Sequence, residues 1–348
     1  MKKIMLCGAL QCEIGNFGDD LLREILINNL LKYDNTLEIV DYDSKTTLKD
    51  MKACDYFIYI PGGYLGYIES WYSGSINKTF QRVIYYYWPG IKAALLRKKI
   101  ILLAQGIGPY EYPILGNMLG FVANRAMLIT VRDQKGKALL RKFGVKKNIY
   151  VTADTAQTLT QHNFICECQE SRKIKEVFAG KTVIFFHYIG KSEYAKTVYD
   201  ALKDLFFERE DVCFVIGADG TINYGDVKKM ENKFPPNRCM SYRYKGVSQL
   251  ISIINSVDCV ITGKFHVGIV GCTLSKSVLN FSVQYAKASL YYEQIGYPER
   301  CKDVFNISKA DIKNSIEELY LDPVKIPTHV LEKANSNYDV FLRKVMKN

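Results

Sequence analysis

The chain has 348 residues, 48% hydrophobic and 24% charged, with a net charge of +11. That length allows two domains and a large core, and the composition is not that of a disordered or collagen-like chain. No apolar stretch approaches the ~20 residues of a membrane helix. The basic residues are scattered, with modest clusters at Arg97–Lys99, Lys135–Lys147 and Arg343–Lys347 and no nucleic-acid module pattern. The chain is therefore expected to bind no nucleic acid, and its charge suits an anionic membrane leaflet, an anionic small substrate or a plain solvated basic face.

Ile4–Leu10 after Met1-Lys2-Lys3 is too short for a secretory leader before the polar Gln11-Cys12-Glu13, and Ile4–Leu6 reads as a first buried strand. Leu21–Leu31 has helical spacing. Leu37–Val40 and Tyr56–Ile60 follow as strands, Val83–Leu96 as a helix, Ile100–Leu103 as a strand and Ile114–Ala126 as a helix. Leu128–Val131, Lys135–Lys142 and Ile149–Val151 continue the alternation. Continuous apolar strands alternating with helices predict a parallel sheet covered on both faces.

Polar Gln161–Gly180 interrupts the pattern and reads as a linker. A second series then runs through strand Thr182–His187, helix Tyr194–Phe207, strand Val212–Ile216, helix Ser248–Ile254, strand Cys259–Ile261, helix His266–Cys272 and strand Val278–Phe281. Ala310–Tyr320 and Pro327–Val345 close the chain as helices. The expectation is two doubly wound α/β domains facing a cleft: 1–165, a linker at 166–180, 181–325, and a C-terminal helix at 326–348.

Glycine-rich turns recur where strands end: Gly15-Asn16-Phe17-Gly18-Asp19-Asp20, Pro61-Gly62-Gly63-Tyr64-Leu65-Gly66, Gln105-Gly106-Ile107-Gly108-Pro109 and Thr262-Gly263-Lys264-Phe265-His266. Glycine lets a ligand approach the backbone, and ligands of open α/β sheets bind past the carboxyl ends of the strands. None of the turns is G-x-G-x-x-G or a P-loop, so nicotinamide and ATP chemistry are not expected. The ten cysteines are scattered and no pair of the four histidines has zinc-site spacing, so reduced thiols, no metal and no cofactor are expected.

His266 falls in the first turn of a predicted helix, where free N–H groups receive an anion. An imidazole there suits acid–base work near neutral pH, with a packing role as the competing reading. Lys264, Arg132 and Lys287 follow predicted strands and are candidate cations for phosphate or carboxylate, while Asp133 reads as an N-cap. The aromatics of 56–88 (Tyr56, Tyr59, Tyr64, Tyr67, Trp71, Tyr72, Tyr85–Trp88) read either as core or as a stacking or membrane-facing surface.

Taken in order, the glycine turns with Ala104–Pro109, Val131-Arg132-Asp133, Thr152-Ala153-Asp154, Lys264-Phe265-His266 and Ser282–Lys287 resemble the polysaccharide pyruvyl transferase family over roughly residues 4–290. The family's usual Arg-Leu-His is Lys264-Phe265-His266 here, Tyr64 replaces a third glycine, and Thr155 replaces a proline. The resemblance implies a GT-B-like fold with an acceptor side in 1–165, a donor side in 181–325 and the C-terminal helix near the N-terminal domain. It implies transfer of the enolpyruvyl group of phosphoenolpyruvate onto two sugar hydroxyls as a cyclic ketal, with phosphate released and neither metal nor nucleotide required. On this reading His266 is the acid–base group. Arg132, Lys264, Lys287 and Gly263 hold the donor, and Asn16, Gly18, Asp19, Gly62, Gly63, Gln105 and Asp154 line the acceptor side. The implied acceptor is a lipid-diphosphate-linked oligosaccharide, placing a cytoplasmic protein at the inner membrane face. A GT-B glycosyltransferase using a nucleotide sugar, with Ser241–Lys245 as the loop available for its base, and a non-catalytic binding module are the alternatives.

Overall fold

The computed structural model describes residues 2–8, 15–66, 80, 83–108, 110, 112–190, 193–220, 222 and 224–346. Tyr67, Trp71, Tyr72, Pro109 and Gln11–Glu13 lie outside the described residues. The chain divides into two compact units. One comprises Met1–Glu13, Asp19–Thr158 and Leu331–Asn348, and the other Ile14–Gly18 and Leu159–Val330.

In the first unit β1 (Lys3–Cys7) leads to α1 (Phe17–Tyr33), β2 (Glu38–Asp41), α2 (Leu48–Ala53), β3 (Tyr56–Tyr59) and β4 (Gly62–Leu65). A π-helical turn (Val83–Tyr87) runs into α3 (Trp88–Leu95), followed by β5 (Lys99–Ile107), α4 (Pro113–Ala123), β6 (Leu128–Val131), α5 (Gln134–Lys142) and β7 (Tyr150–Val151). The sheet order is β2-β1-β3-β5-β6-β7, with β4 also pairing to β5, and the pairings are parallel. Ile4–Cys7 are all buried, as a strand covered on both faces requires.

Three local departures from the sequence reading bear on the site. First, α1 begins at Phe17, so Gly18–Asp20 form its first turn; Asp19 and Asp20 there complement the helix dipole. Second, Gly62 and Gly63 are not a turn but the start of β4, with Gly62 opposite Gln105. Third, β5 runs on to Ile107 through an irregularity between Leu102 and Gln105, where Ala104 adopts a φ of 45°. A non-glycine residue in that region is strained and persists only where its surroundings hold it. Here the Ala104 N–H donates to Thr130 Oγ1 (2.6 Å).

The second unit runs from α6 (Gln169–Val177) through β8 (Thr182–His187), α7 (Glu193–Glu208), β9 (Val212–Gly217), α8 (Tyr224–Glu231) and β10 (Cys239–Tyr242) to α9 (Val247–Asn255). It continues with β11 (Cys259–Thr262), α10 (Phe265–Thr273), β12 (Ser277–Ser282), α11 (Tyr285–Ile295), β13 (Cys301–Asp303) and α12 (Lys309–Leu319). Its parallel sheet has the order β10-β9-β8-β11-β12-β13. The stretch 166–180, read from sequence as a linker, contains α6 and belongs to this unit. Ile174 is buried, and Glu170 pairs with Lys245 at 2.7 Å. Ile174 is the one buried apolar side chain within this helix, too sparse a pattern to register from sequence.

The C-terminal helix α13 (Thr328–Phe341) packs into the first unit. Asn337, fully buried, accepts from the hydroxyls of Thr130 (2.7 Å) and Thr152 (2.8 Å) and donates to the Ala153 carbonyl (3.0 Å). Thr130 thus links the bulge at Ala104 to α13. Tyr56, Tyr59, Tyr64 and Tyr87 of the aromatic-rich segment are core residues, whereas Trp88 is 45% exposed.

Candidate active site

Of the four expected donor residues, Gly263, Lys264 and Lys287 lie in the second unit, past the carboxyl ends of its central strands, whereas Arg132 belongs to the first unit. β11 ends at Thr262, Gly263 is buried, and Lys264 is the N-cap of α10 in extended conformation. The Lys264 N–H is taken by Thr262 Oγ1 (3.0 Å), which fixes the turn. The side chain of the N-cap residue Lys264 makes no capping hydrogen bond, and the first turn of α10, with Phe265 and His266, is the positive end of the helix dipole.

Lys264 Nζ lies 3.1 Å from Asp219 Oδ2; the lysine side chain is about one-third exposed and the carboxylate is buried. Asp219 follows β9, and His187 ends the adjacent β8. His187 is fully buried, and burial holds its imidazole down to about 4 from the ordinary 6.5. The Lys264 charge pushes the same way and Asp219 opposes both. His187 is therefore neutral at physiological pH, beneath an anchored lysine.

His266 is half-buried, its ring tilted against that of Phe265 with centroids 5.0 Å apart. Phe265 also takes Lys287 Nζ over its face at 4.9 Å and meets Tyr291 edge-on. Phe265 thus sits between the imidazole and the second cation. On its other side His266 meets Gly18: a Cβ there would overlap His266 Nδ1, well inside the 3.0 Å that real Cβ atoms keep. Asn16 Oδ1 accepts from the Gly18 N–H (3.3 Å), and Phe17 packs edge-on against Tyr244 (6.5 Å). The turn 15–18 therefore belongs with His266, Lys264 and Lys287, all in the second unit.

The remaining expected residues group in the first unit. Arg132 and Asp154 form a buried ion pair. Gly106 leaves room for the Arg132 guanidinium, which a Cβ there would overlap. The Arg132 N–H donates to the Gln105 carbonyl (3.1 Å), and buried Gln105 donates through Nε2 to the Ile60 (2.7 Å) and Leu103 (2.8 Å) carbonyls. Gly62 and Gly63 lie on β4 beside Gln105, Asp19 is in the first turn of α1, and Asp133 caps α5 through Gly136 N (2.7 Å). Among the described residues no group of three His, Cys, Asp or Glu side chains is arranged to hold a metal ion, and the described cysteines are free thiols.

Sequence reasoning missed His187 and Asp219. His187 ends one strand that the sequence places and Asp219 follows another, so the rule that selected Lys264 and Arg132 was sufficient to find them.

Two parallel-sheet α/β units in one chain, with cations and an imidazole at strand carboxyl ends, define a GT-B-like enzyme fold. The chain belongs to the polysaccharide pyruvyl transferase family, whose family model matches residues 16–285. Its fold is similar to a putative UDP-N-acetylglucosamine 2-epimerase from Listeria monocytogenes (TM-score 0.66, 13% identity, covering 100% of this chain and 98% of that one). It is also similar to S. aureus MnaA solved with UDP (0.63, 14%, 100% and 95%) and to UDP-GlcNAc 2-epimerase from Neisseria meningitidis (0.62, 11%, 100% and 100%). At these identities the likeness is one of fold. No curated protein matches the chain in sequence.

Proposed function

We propose that the protein is a ketal pyruvyltransferase. It would move the pyruvyl group of phosphoenolpyruvate onto two hydroxyls of a sugar in a polysaccharide precursor, with a lipid-diphosphate-linked oligosaccharide as acceptor. The observation that carries this reading is the turn Gly263–His266. It combines a lysine anchored on a buried carboxylate, a half-buried imidazole and the positive end of a helix, with Lys287 one ring away. These are the parts an anionic phosphate-and-carboxylate donor needs.

In the proposed chemistry His266 gives a proton to the methylene carbon of phosphoenolpyruvate, and the adjacent carbon takes on oxocarbenium character. A sugar hydroxyl adds there and its proton returns to the imidazole. A second hydroxyl then displaces phosphate, which leaves with one proton, and the ketal closes. Lys264 and Lys287 are the cations assigned to the donor; the Arg132 guanidinium is on Asp154. Neither a nucleotide nor a divalent metal has a step in this sequence, so turnover should survive EDTA.

The test is thermal shift together with phosphate release. At ~100 times the dissociation constant, phosphoenolpyruvate should stabilise the fold by roughly 2.7 kcal/mol, with phosphate released only when acceptor is present. A melting temperature unmoved by phosphoenolpyruvate but raised by a UDP-sugar would replace this reading with the nucleotide-sugar one.

A further inference from the structure

The first unit carries an outward face that its own core does not use. On α3 the buried residues are Pro89, Gly90, Ala93 and Ala94. The opposite side presents Trp88, Lys92 and Leu95 at helical spacing, and Ile84 extends the column through the preceding π-helical turn. The column is strongly exposed: Ile84 41%, Trp88 45% and Leu95 66%. On the neighbouring α4 Leu115, Leu119, Val122 and Ala123 are buried and Met118 and Phe121 pack partly against the same core, while Ile114 in its first turn is 64% exposed and Arg125 follows its C-terminal end. The Arg125 guanidinium lies over the Phe121 ring at 3.7 Å. Between residues 80 and 127 the sequence has Arg82, Lys92, Arg97, Lys98, Lys99 and Arg125 against the lone carboxylate Glu111.

An apolar stripe of Trp, Ile and Leu side chains with cations among and beyond them is the composition of a helix that lies in a membrane interface. Tryptophan favours that depth, and long cationic side chains keep their charge at the headgroups while their stems stay apolar. A second copy of the chain fits less well, because a two-fold contact through this face would set like charges against one another. Among the described residues no helix is long and apolar enough to cross a membrane.

We propose that α3, α4 and the turn before α3 form a peripheral docking face for an anionic lipid bilayer, with Trp88, Leu95, Ile84 and Ile114 entering the interface. The inference stands apart from the transferase reading, because docking is measured without donor or acceptor.

The chain has two tryptophans, so Trp71→Phe leaves Trp88 as the sole reporter. The full chain is mixed with vesicles of phosphatidylcholine alone, or with about one-third phosphatidylglycerol. Binding only to the anionic vesicles, weakened by salt, with a blue-shifted Trp88 emission quenched by brominated acyl chains, is the expected result. Trp88→Ser with Ile114→Ser should weaken partitioning by about tenfold or more. Lys92→Glu, a change at a half-buried position outside the core, should weaken it by a similar factor. Absence of binding, or binding with unshifted Trp88 and unaffected variants, overturns the proposal. So does a concentration-dependent dimer that Trp88→Ser abolishes in a protein that ignores vesicles, which would make the face a contact between copies.

Discussion

Gly18 makes the space in which His266 stands: any side chain at residue 18 would occupy the volume of the imidazole Nδ1. Gly18 lies in the first turn of α1 and not at a positive φ, so its lack of a side chain, not its backbone freedom, is what the position uses. Gly18→Ala should therefore separate stability from function. Alanine favours the helix by up to about 1 kcal/mol, whereas the displaced ring costs about 1–3 kcal/mol if it cannot swing away. Turnover per folded molecule should fall towards that of His266→Ala, itself reduced about 10²–10⁴-fold with donor affinity nearly unchanged. A Gly18→Ala protein with wild-type turnover would remove His266 from the centre of the mechanism.

Lys264 and Asp219 have separable roles. Lys264→Ala deletes a cation proposed to hold the donor and strips the buried Asp219 of its ammonium. Because the lysine is about one-third exposed, the stability loss should be modest for a buried pair, about 1–3 kcal/mol. Adding Asp219→Asn should recover much of that stability and none of the donor affinity. Lys264→Arg, the family's usual residue, keeps the charge and can meet Asp219 in a fork, so it should hold both. Melting curves and donor titrations on the four proteins check this; a double variant that regains donor binding contradicts it.

His187 sets a pH dependence of known sign. Folded, it takes a proton only at about pH 4, whereas the unfolded chain takes it at about 6.5. Between those values the unfolded form binds more protons. Its contribution to stability is therefore full above pH 6.5 and is lost as pH falls towards 4, by about 3 kcal/mol at most. His187→Asn should flatten this part of the stability–pH profile relative to wild type. Parallel profiles for the two proteins in that window would show that burial does not hold the imidazole neutral.

Asn337 should matter for folding alone. Asn337→Ala leaves the Thr130 and Thr152 hydroxyls and the Ala153 carbonyl without this partner, at about 1–3 kcal/mol for each group left unsatisfied. Denaturant midpoints should drop accordingly, while activity per folded molecule stays close to wild type.

The β–α alternation and the residues at strand ends were readable because they are local. Thr182–His187 and Val212–Ile216 announce themselves as unbroken apolar runs, and Gly263–His266 sits where a strand stops. What escaped depends on partners distant in sequence. Gly62 looks like a turn until Gln105 is beside it. Nothing near Ala104 announces a bulge, because the group holding it is the Thr130 hydroxyl. His187 gains its meaning from Asp219 and Lys264, and Phe265, an ordinary apolar residue in the sequence, from its position between His266 and Lys287.

Because the first unit takes up the chain again at Leu331, within α13, the bulk of the second unit, Leu159–Val330, is an insertion within it. On the ribosome, where domains form from the N-terminus onwards, residues 159–330 can complete their sheet while the first sheet still lacks Asn337. The bulge at Ala104, and with it the setting of Gln105 and Arg132, is locked only when the final helix has emerged. A nascent chain arrested before residue 331 should then hold a protease-resistant second unit beside an unfinished first one.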